Sequence, residues 1–409
     1  MTRTHRIALL LVFSALSCTS PRRNELASFE VFCEMVSSGA KPLALSHPLE
    51  PADADALWDE FQAMAGDYGV ALFREDRFPE TLLFPPGLTE GKTVILIYKA
   101  DRLRQYQQWK KDLGEADPSE AASSEALARR FGRLLGYTPE GINTLLAATT
   151  GYRTLKSFGV TGQTTHLFYE DLPGAREFYT NTLGLQRVDS IRFQISQDAF
   201  IALHPLNETH PAGQPKSTAI AFLTDQLPDW YARLQQKGVL IKYTYKPKTG
   251  GAHDGFVALD PGGYLLEFEE FKQHPENEYF MAVLAESPRI PTSASGLNFY
   301  GSITWTYHKD LLRMQQFYEE VLGFLPVADQ GWTKIYQTAP FSFVGLVDEC
   351  RGMEDYAEEK AVELEWQLAD PGGLNAYAKQ KWGLYGYDRS TFRGPEHYRY
   401  AIGPGVELP

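Results

Sequence analysis

The chain has 409 residues, which at about 150 residues per domain predicts two to three domains rather than one core. Hydrophobic residues make up 43%, aromatics 13% and charged residues 22%, a globular composition that excludes a disordered or fibrous chain. The formal charge of −13, from 39 Lys and Arg against 52 Asp and Glu, argues against nucleic acid or an anionic membrane surface as a partner. Three cysteines with no C-x-x-C pair rule out a disulfide scaffold and a structural zinc knuckle.

In chain order, the first element is a targeting signal. Thr2 to Arg6 is basic, Ile7 to Leu16 is a short apolar run, and Ala15-Leu16-Ser17 closes it with small residues, the layout of a secretory signal peptide over residues 1–17. Ten positions, nine of them apolar, are about half of what a membrane-spanning helix needs. Cys18 follows directly and resembles the lipidated cysteine of a bacterial lipobox, although Ala15 stands where that motif usually has Leu. The expected location is outside the cytoplasm: a lipoprotein whose only contact with the membrane is an acyl anchor on Cys18, or, with ordinary cleavage after Ser17, a periplasmic or secreted protein. Cys33 and Cys350 are then left as two free thiols or as one long-range disulfide.

Residues 25–155 predict a small α/β domain. Leu26, Phe29, Phe32, Cys33 and Val36 recur at helical spacing, Thr93 to Tyr98 reads as a buried strand, and Asp101 to Leu113 and Glu125 to Leu135 read as helices. Gly91-Lys92-Thr93 is not a phosphate loop, because Gly87 is one residue too close and a strand follows where a helix is required. The chain has no Gly-x-Ser-x-Gly, His-Glu-x-x-His or Gly-x-Gly-x-x-Gly, so serine hydrolase, zincin and dinucleotide readings lack support.

The rest of the chain repeats itself. Residues 162–188 and 301–327 share nine ungapped identities in 27 positions, among them Thr165/Thr304, Asp171/Asp310, Phe178/Phe317, Tyr179/Tyr318 and Gly184/Gly323, several times the roughly one in seventeen that composition alone gives. Each copy is a β-rich run leading through Asp-Leu into a helix with Phe-Tyr on one face, closed by Leu-Gly. Strands follow at Arg192 to Ser196 and Ala199 to Leu203. The pattern restarts with a strand at Ser217 to Leu223, a helix from Leu227 to Gly238, and strands at Val239 to Tyr245, Phe256 to Leu259 and Leu265 to Phe268, the last after the turn Asp260-Pro261-Gly262-Gly263. Residues 160–272 thus hold two strand–helix–three-strand units and 298–409 a second pair, joined by a linker over 273–297. Asp370 to Gly373 looks like a second copy of the Asp260 turn but runs into a helical pattern, Leu374 to Ala378.

The runs Thr165-His166-Leu167-Phe168, Asp171-Leu172-Pro173-Gly174-Ala175, Phe178-Tyr179 and Leu183-Gly184-Leu185, with Asp260-Pro261-Gly262-Gly263-Tyr264-Leu265-Leu266-Glu267, resemble the vicinal oxygen chelate superfamily of glyoxalase I, bleomycin-resistance proteins and extradiol dioxygenases. The resemblance implies an α+β fold of tandem βαβββ units forming two glyoxalase-like domains, 160–272 and a degenerate 298–409. Each would enclose a cavity in which a divalent metal binds a substrate through two adjacent oxygens. It puts the metal ligands on first and last strands, where Glu267 fits directly, whereas Thr164 and about Ala219 are poor ligands. His166 and His204 lie two residues from the usual positions and so keep the same strand face.

His166, His204 and Glu267 are therefore the candidate metal ligands, a set that suits Fe, Mn or Zn, with Mg open to the carboxylate. They stand against a plain reading as polar wall residues. His253 in a glycine-rich loop is a candidate fourth ligand or acid–base group, and Glu407 is the second pair's counterpart of Glu267. Trp305, Tyr307, Phe168 and Phe222 are candidate cavity walls, while Phe178-Tyr179 and Phe317-Tyr318 are expected in the core. Two functions remain open: a metal-dependent lyase or dioxygenase acting on a small molecule with vicinal oxygens, or a metal-free protein that sequesters a small molecule.

Overall fold

The computed structural model describes residues 21–117, 121–294, 296–381, 388 and 390–406. Residues 1–17, Cys18 and Glu407 lie outside them. The chain divides into two compact units, Met1–Arg153 and Thr154–Pro409. Among the described residues no helix is long and apolar enough to cross a membrane.

The first unit contains α1 (Pro21–Ser37), β1 (Leu43–Leu45), α2 (Pro51–Tyr68), β2 (Ala71–Glu75), β3 (Val94–Tyr98), α3 (Arg102–Glu115), α4 (Ala121–Leu134) and α5 (Pro139–Thr150). Its sheet has the order β1-β3-β2 and is antiparallel throughout. The unbroken apolar run of β3 is explained by burial on both faces. Val94 and Leu96 pack with Trp109, Phe131 and Ile142, and Ile95 and Ile97 pack with Phe29, Cys33, Leu57 and Phe61. Cys33 and Cys350 are both free thiols.

The second unit is built from three strand–helix–three-strand copies and a fourth with two described strands after its helix. Unit I has β4 (Val160–Tyr169), α6 (Leu172–Glu177), β5 (Gln186–Arg187), β6 (Arg192–Gln194) and β7 (Ala199–Pro205). Unit II has β8 (Thr218–Leu223), α7 (Leu227–Gln236), β9 (Ile241–Tyr243), β10 (His253–Leu259) and β11 (Leu265–Phe271). The linker forms α8 (Glu278–Ala285), β12 (Ile290–Pro291) and β13 (Asn298–Phe299). Unit III has β14 (Gly301–His308), α9 (Leu311–Gln316), β15 (Leu325–Asp329), β16 (Thr333–Ala339) and β17 (Ser342–Asp348). Unit IV has β18 (Val362–Leu368), α10 (Pro371–Lys381), β19 (Thr391–Arg393) and β20 (Arg399–Pro404).

The repeat seen in the sequence is physical. Asp171 caps α6 by accepting from Gly174 N at 3.0 Å, and Asp310 caps α9 by accepting from Arg313 N at 2.9 Å. Both helices widen into a π-helical turn at their Phe-Tyr pair, and Gly184 and Gly323 end them at φ +70° and +76°, where a side chain would be strained. Phe178, Tyr179, Phe317 and Tyr318 are buried in the core as expected.

The pairing of the units differs from the expected order. Units I and IV share a seven-stranded sheet, β19-β20-β18-β4-β7-β6-β5, and units II and III share an eight-stranded one, β15-β16-β17-β14-β8-β11-β10-β9. Neither 160–272 nor 298–409 is closed on itself, because each unit's first strand pairs with the first strand of a unit from the other half: β4 with β18 and β8 with β14, both antiparallel. The two sheets meet back to back at their centres, where Thr165 and Thr304 hydroxyls lie 2.6 Å apart and Gln163 donates to Thr304 Oγ1 and Phe343 O at 3.2 Å each. Side chains alternate along a strand, so His166 and Trp305 project from opposite outer faces of this stack.

Gly345 on β17 leaves room for the Trp305 indole, since a Cβ there would stand 1.9 Å from the ring. Gly345→Ala should cost about 1–3 kcal/mol by overpacking and lower the Tm of this unit by roughly 2–12 °C. Gly372→Ala, which meets open space, should leave it nearly unchanged; calorimetry of both variants checks the pair.

Candidate functional site

On the outer face of the seven-stranded sheet, β4 places His166 opposite Glu363 of β18 and beside Ala202 of β7, and Phe168 beside His204. His166 is hydrogen-bonded through both ring nitrogens. Nδ1 lies 2.8 Å from His204 Nε2, and Nε2 lies 2.9 Å from Glu365 Oε2. Glu365 is held in turn by Gln367, whose Nε2 donates to Glu365 Oε1 at 3.3 Å and to Thr164 Oγ1 at 2.9 Å. Next to this chain, buried His210 bonds Glu363 Oε1 at 2.9 Å and Gln214 Oε1 at 3.0 Å, and its ring stacks on Phe168 at 3.7 Å.

The charges follow from these contacts. Burial disfavours the Glu365 anion, but the hydrogen bond and charge of His166 outweigh it and hold the carboxyl below its ordinary range. Burial likewise opposes ionisation of Glu363, and His210 more than compensates. His204 is pushed down to about 4, first by burial and then by His166, so it is neutral at physiological pH. When both rings are neutral, Glu365 accepts from His166 Nε2–H, His166 Nδ1 accepts from His204 Nε2–H, and the lone pair left on the chain is His204 Nδ1.

Of the three expected ligands, the structure joins His166 and His204 but not Glu267. Glu267 pairs with Ala221 and shares the Trp305 face of the eight-stranded sheet, so both sheets stand between it and the histidines. The carboxylates that do meet the histidines, Glu363 and Glu365, come from unit IV. A signal for Glu365 was present in the sequence. Asp370 caps α10 by accepting from Gly373 N at 2.8 Å, as Asp171 and Asp310 cap α6 and α9, and five residues before each aspartate stand His166, Trp305 and Glu365. Asp260–Gly263 is a true turn, its carboxylate accepting from the Tyr169 and Tyr179 hydroxyls at 2.7 and 3.0 Å.

A divalent metal, common in the resembled superfamily, does not fit these donors. His204 and Glu365 bond opposite edges of one imidazole ring, so the three cannot converge on a point about 2.0–2.2 Å from each donor. Among the described residues no group of three or more His, Cys, Asp or Glu is arranged for an ion.

Glu267 instead lines a cavity of about 130 Å³ in the eight-stranded sheet with Glu269, Trp305, Tyr307 and His253. Trp305 and Tyr307 are wall residues as expected, Phe168 belongs to the histidine site, and Phe222 is in the core. Burial pushes the Glu267 carboxyl up to about 7, against the Trp305 indole, which favours its charged form; burial and Glu267 push Glu269 well above the usual range. A carboxyl whose folded pKa is raised binds its proton more tightly in the folded state. Its stabilisation is complete below about pH 4.5 and is lost as pH rises through about 7. Glu267→Gln should therefore raise Tm at pH 8 and change it little at pH 5; equal destabilisation at both pH values would contradict this.

Residues 161–268 match the model of the Glyoxalase/Bleomycin resistance protein/Dioxygenase superfamily. No curated protein matches the sequence. Among solved structures, glyoxalase I from Zea mays is 14% identical, with 59% of this chain and 91% of that one covered and a TM-score of 0.37. Lactoylglutathione lyase from Agrobacterium tumefaciens is 22% identical over 27% of this chain and 96% of that one, with a TM-score of 0.23. An integron cassette protein from the mobile metagenome of V. Cholerae is 29% identical over 26% and 91%, with a TM-score of 0.22. The match to the glyoxalase, bleomycin-resistance protein and dioxygenase superfamily thus spans units I and II of the second unit, residues 161–268.

Proposed function

We propose that the second unit acts on a small molecule by proton transfer, without a resident metal, on the outer face of the seven-stranded sheet. The observation that carries this reading is the Glu365–His166–His204 chain, in which one imidazole joins a carboxylate at 2.9 Å to a second imidazole at 2.8 Å. Such a chain fixes tautomers, orients the terminal ring and stabilises the imidazolium that forms when that ring takes a proton. His204 Nδ1 would be the general base, His166 and Glu365 would position it, and Gln367 would hold Glu365.

Arg192 stands across β7 from His166, in register with Ala202, and its charge is felt at Glu365. It would favour an oxygen that gains negative charge as the proton leaves. The substrate class is a small carbon acid with a carbonyl or carboxylate oxygen. Export of the chain, with an acyl anchor at Cys18 or release after Ser17, is part of the same proposal and would place this chemistry outside the cytoplasm.

Nitrogen-15 NMR of the imidazoles tests the arrangement. His204 should be an Nε2–H tautomer at pH 7 and titrate near pH 4, and added Zn²⁺ or Mn²⁺ should shift neither ring. Deuterium exchange into a panel of hydroxyketones and 2-oxo acids should fall about 10²–10⁴-fold in His204→Ala. Stoichiometric metal uptake lost in His166→Ala, or exchange unaffected by His204→Ala, would overturn the reading.

A further inference from the structure

The cavity of the eight-stranded sheet plays no part in that chemistry and has features a structural core does not need. Its walls are apolar and aromatic: Phe271, Trp305, Tyr307, Trp332, Ile335 and Val347. Two residues of this lining carry a buried polar atom with no hydrogen-bond partner, Glu269 Oε2 and Thr333 Oγ1, while the Trp305 indole leans on the Glu267 carboxyl. They are two of the eight such atoms among the described residues. Buried polar groups are nearly always paired, so two orphans at one cavity point to a missing partner group.

The charge of that partner follows from the carboxylates. Glu267 and Glu269 stand on the same face of β11, two residues apart, and the side chain of Glu269 is only 4% exposed. Neither has a full ion pair. His253 Nε2 stands 4.0 Å from Glu269 on a half-exposed ring whose burial disfavours the charged form. Arg351 also lines the cavity, but its guanidinium lies over the Trp332 ring at 4.7 Å. The other titratable wall group is the Tyr307 hydroxyl. A compact cation would complete the set, because the carboxylates and Thr333 Oγ1 can accept its N–H donors while the Trp305 and Tyr307 faces stabilise its charge. A volume of about 130 Å³ is close to that of engineered cavities that hold a single benzene ring.

We infer that this cavity is a binding site for a small primary amine cation with an apolar body of about one ring, held by Glu267, Glu269 and Thr333 against Trp305. The ammonium enters as the counter-ion the carboxylate pair lacks, and any carboxyl proton it displaces goes to solvent. No covalent step is involved. The site is separate from the histidine chain, which lies on the other sheet.

Titration calorimetry on the full chain at pH 7.5, with Trp305 fluorescence as a second readout, tests this with benzylamine, benzyl alcohol and toluene. Benzylamine should saturate one site and bind at least tenfold tighter than either neutral probe. Glu269→Gln should weaken it at least tenfold and Thr333→Val about threefold or more, with circular dichroism unchanged, whereas His166→Ala should leave it within twofold. Neutral probes binding as tightly as benzylamine, absence of saturable amine binding, or amine binding undiminished in both cavity variants would overturn the assignment. Loss in His166→Ala alone would move the amine to the other sheet and equally overturn it.

Discussion

The antiparallel pairing of β4 with β18 is the contact on which the histidine site depends. A unit of this type exposes the edge of its first strand, and an unpaired edge must be covered. Here the cover comes from the far end of the chain. The register sets His166 against Glu363 and Leu364 against Thr165, and it brings Glu365 to His166 across 199 residues of sequence. The same rule applied to β8 and β14 closes the other sheet and sets Trp305 beside Ala219. Once both pairings exist, the Thr165–Thr304 contact can lock the sheets back to back, and their outer faces become two independent sites.

Those sites began from equivalent positions and diverged. The residue five before the capping aspartate is His166 in unit I, Trp305 in unit III and Glu365 in unit IV. In the seven-stranded sheet this gives a polar face where carboxylates and imidazoles satisfy one another. In the eight-stranded sheet it gives an indole, with Gly345 cleared to receive it, and two carboxyls that burial holds toward their neutral forms. One scaffold therefore carries a hydrogen-bonded proton chain on one side and an apolar cavity with unpaired acids on the other.

Much of this was legible in the sequence because it rests on short-range patterns. The Asp-Leu entry, the Phe-Tyr helix face, the Leu-Gly exit and the alternation of β7 and β8 each occupy fewer than thirty residues, and each appears where expected. The inward histidines were legible for the same reason, since strand alternation fixes their face. Partner choice was not legible: nothing local in β4 distinguishes β8 from β18 as its neighbour, so Glu267 was joined to histidines that lie on the other sheet. Unit IV was hidden because it shares few residues with unit I beyond its capping aspartate. In the N-terminal unit, β3 was clear from its unbroken apolar run, whereas α2, rich in Ala and Asp, gives a weak pattern.

The central claim, that unit IV rather than unit II supplies the carboxylate to the histidines, is tested most directly by two double-mutant cycles in denaturant unfolding. His166→Ala combined with Glu365→Ala should show a coupling energy of about 1–3 kcal/mol, and His166→Ala combined with Glu267→Ala should be additive within about 0.5 kcal/mol. Strong coupling to Glu267 and none to Glu365 would mean that units I and II close on each other, and the pairing described here would be refuted.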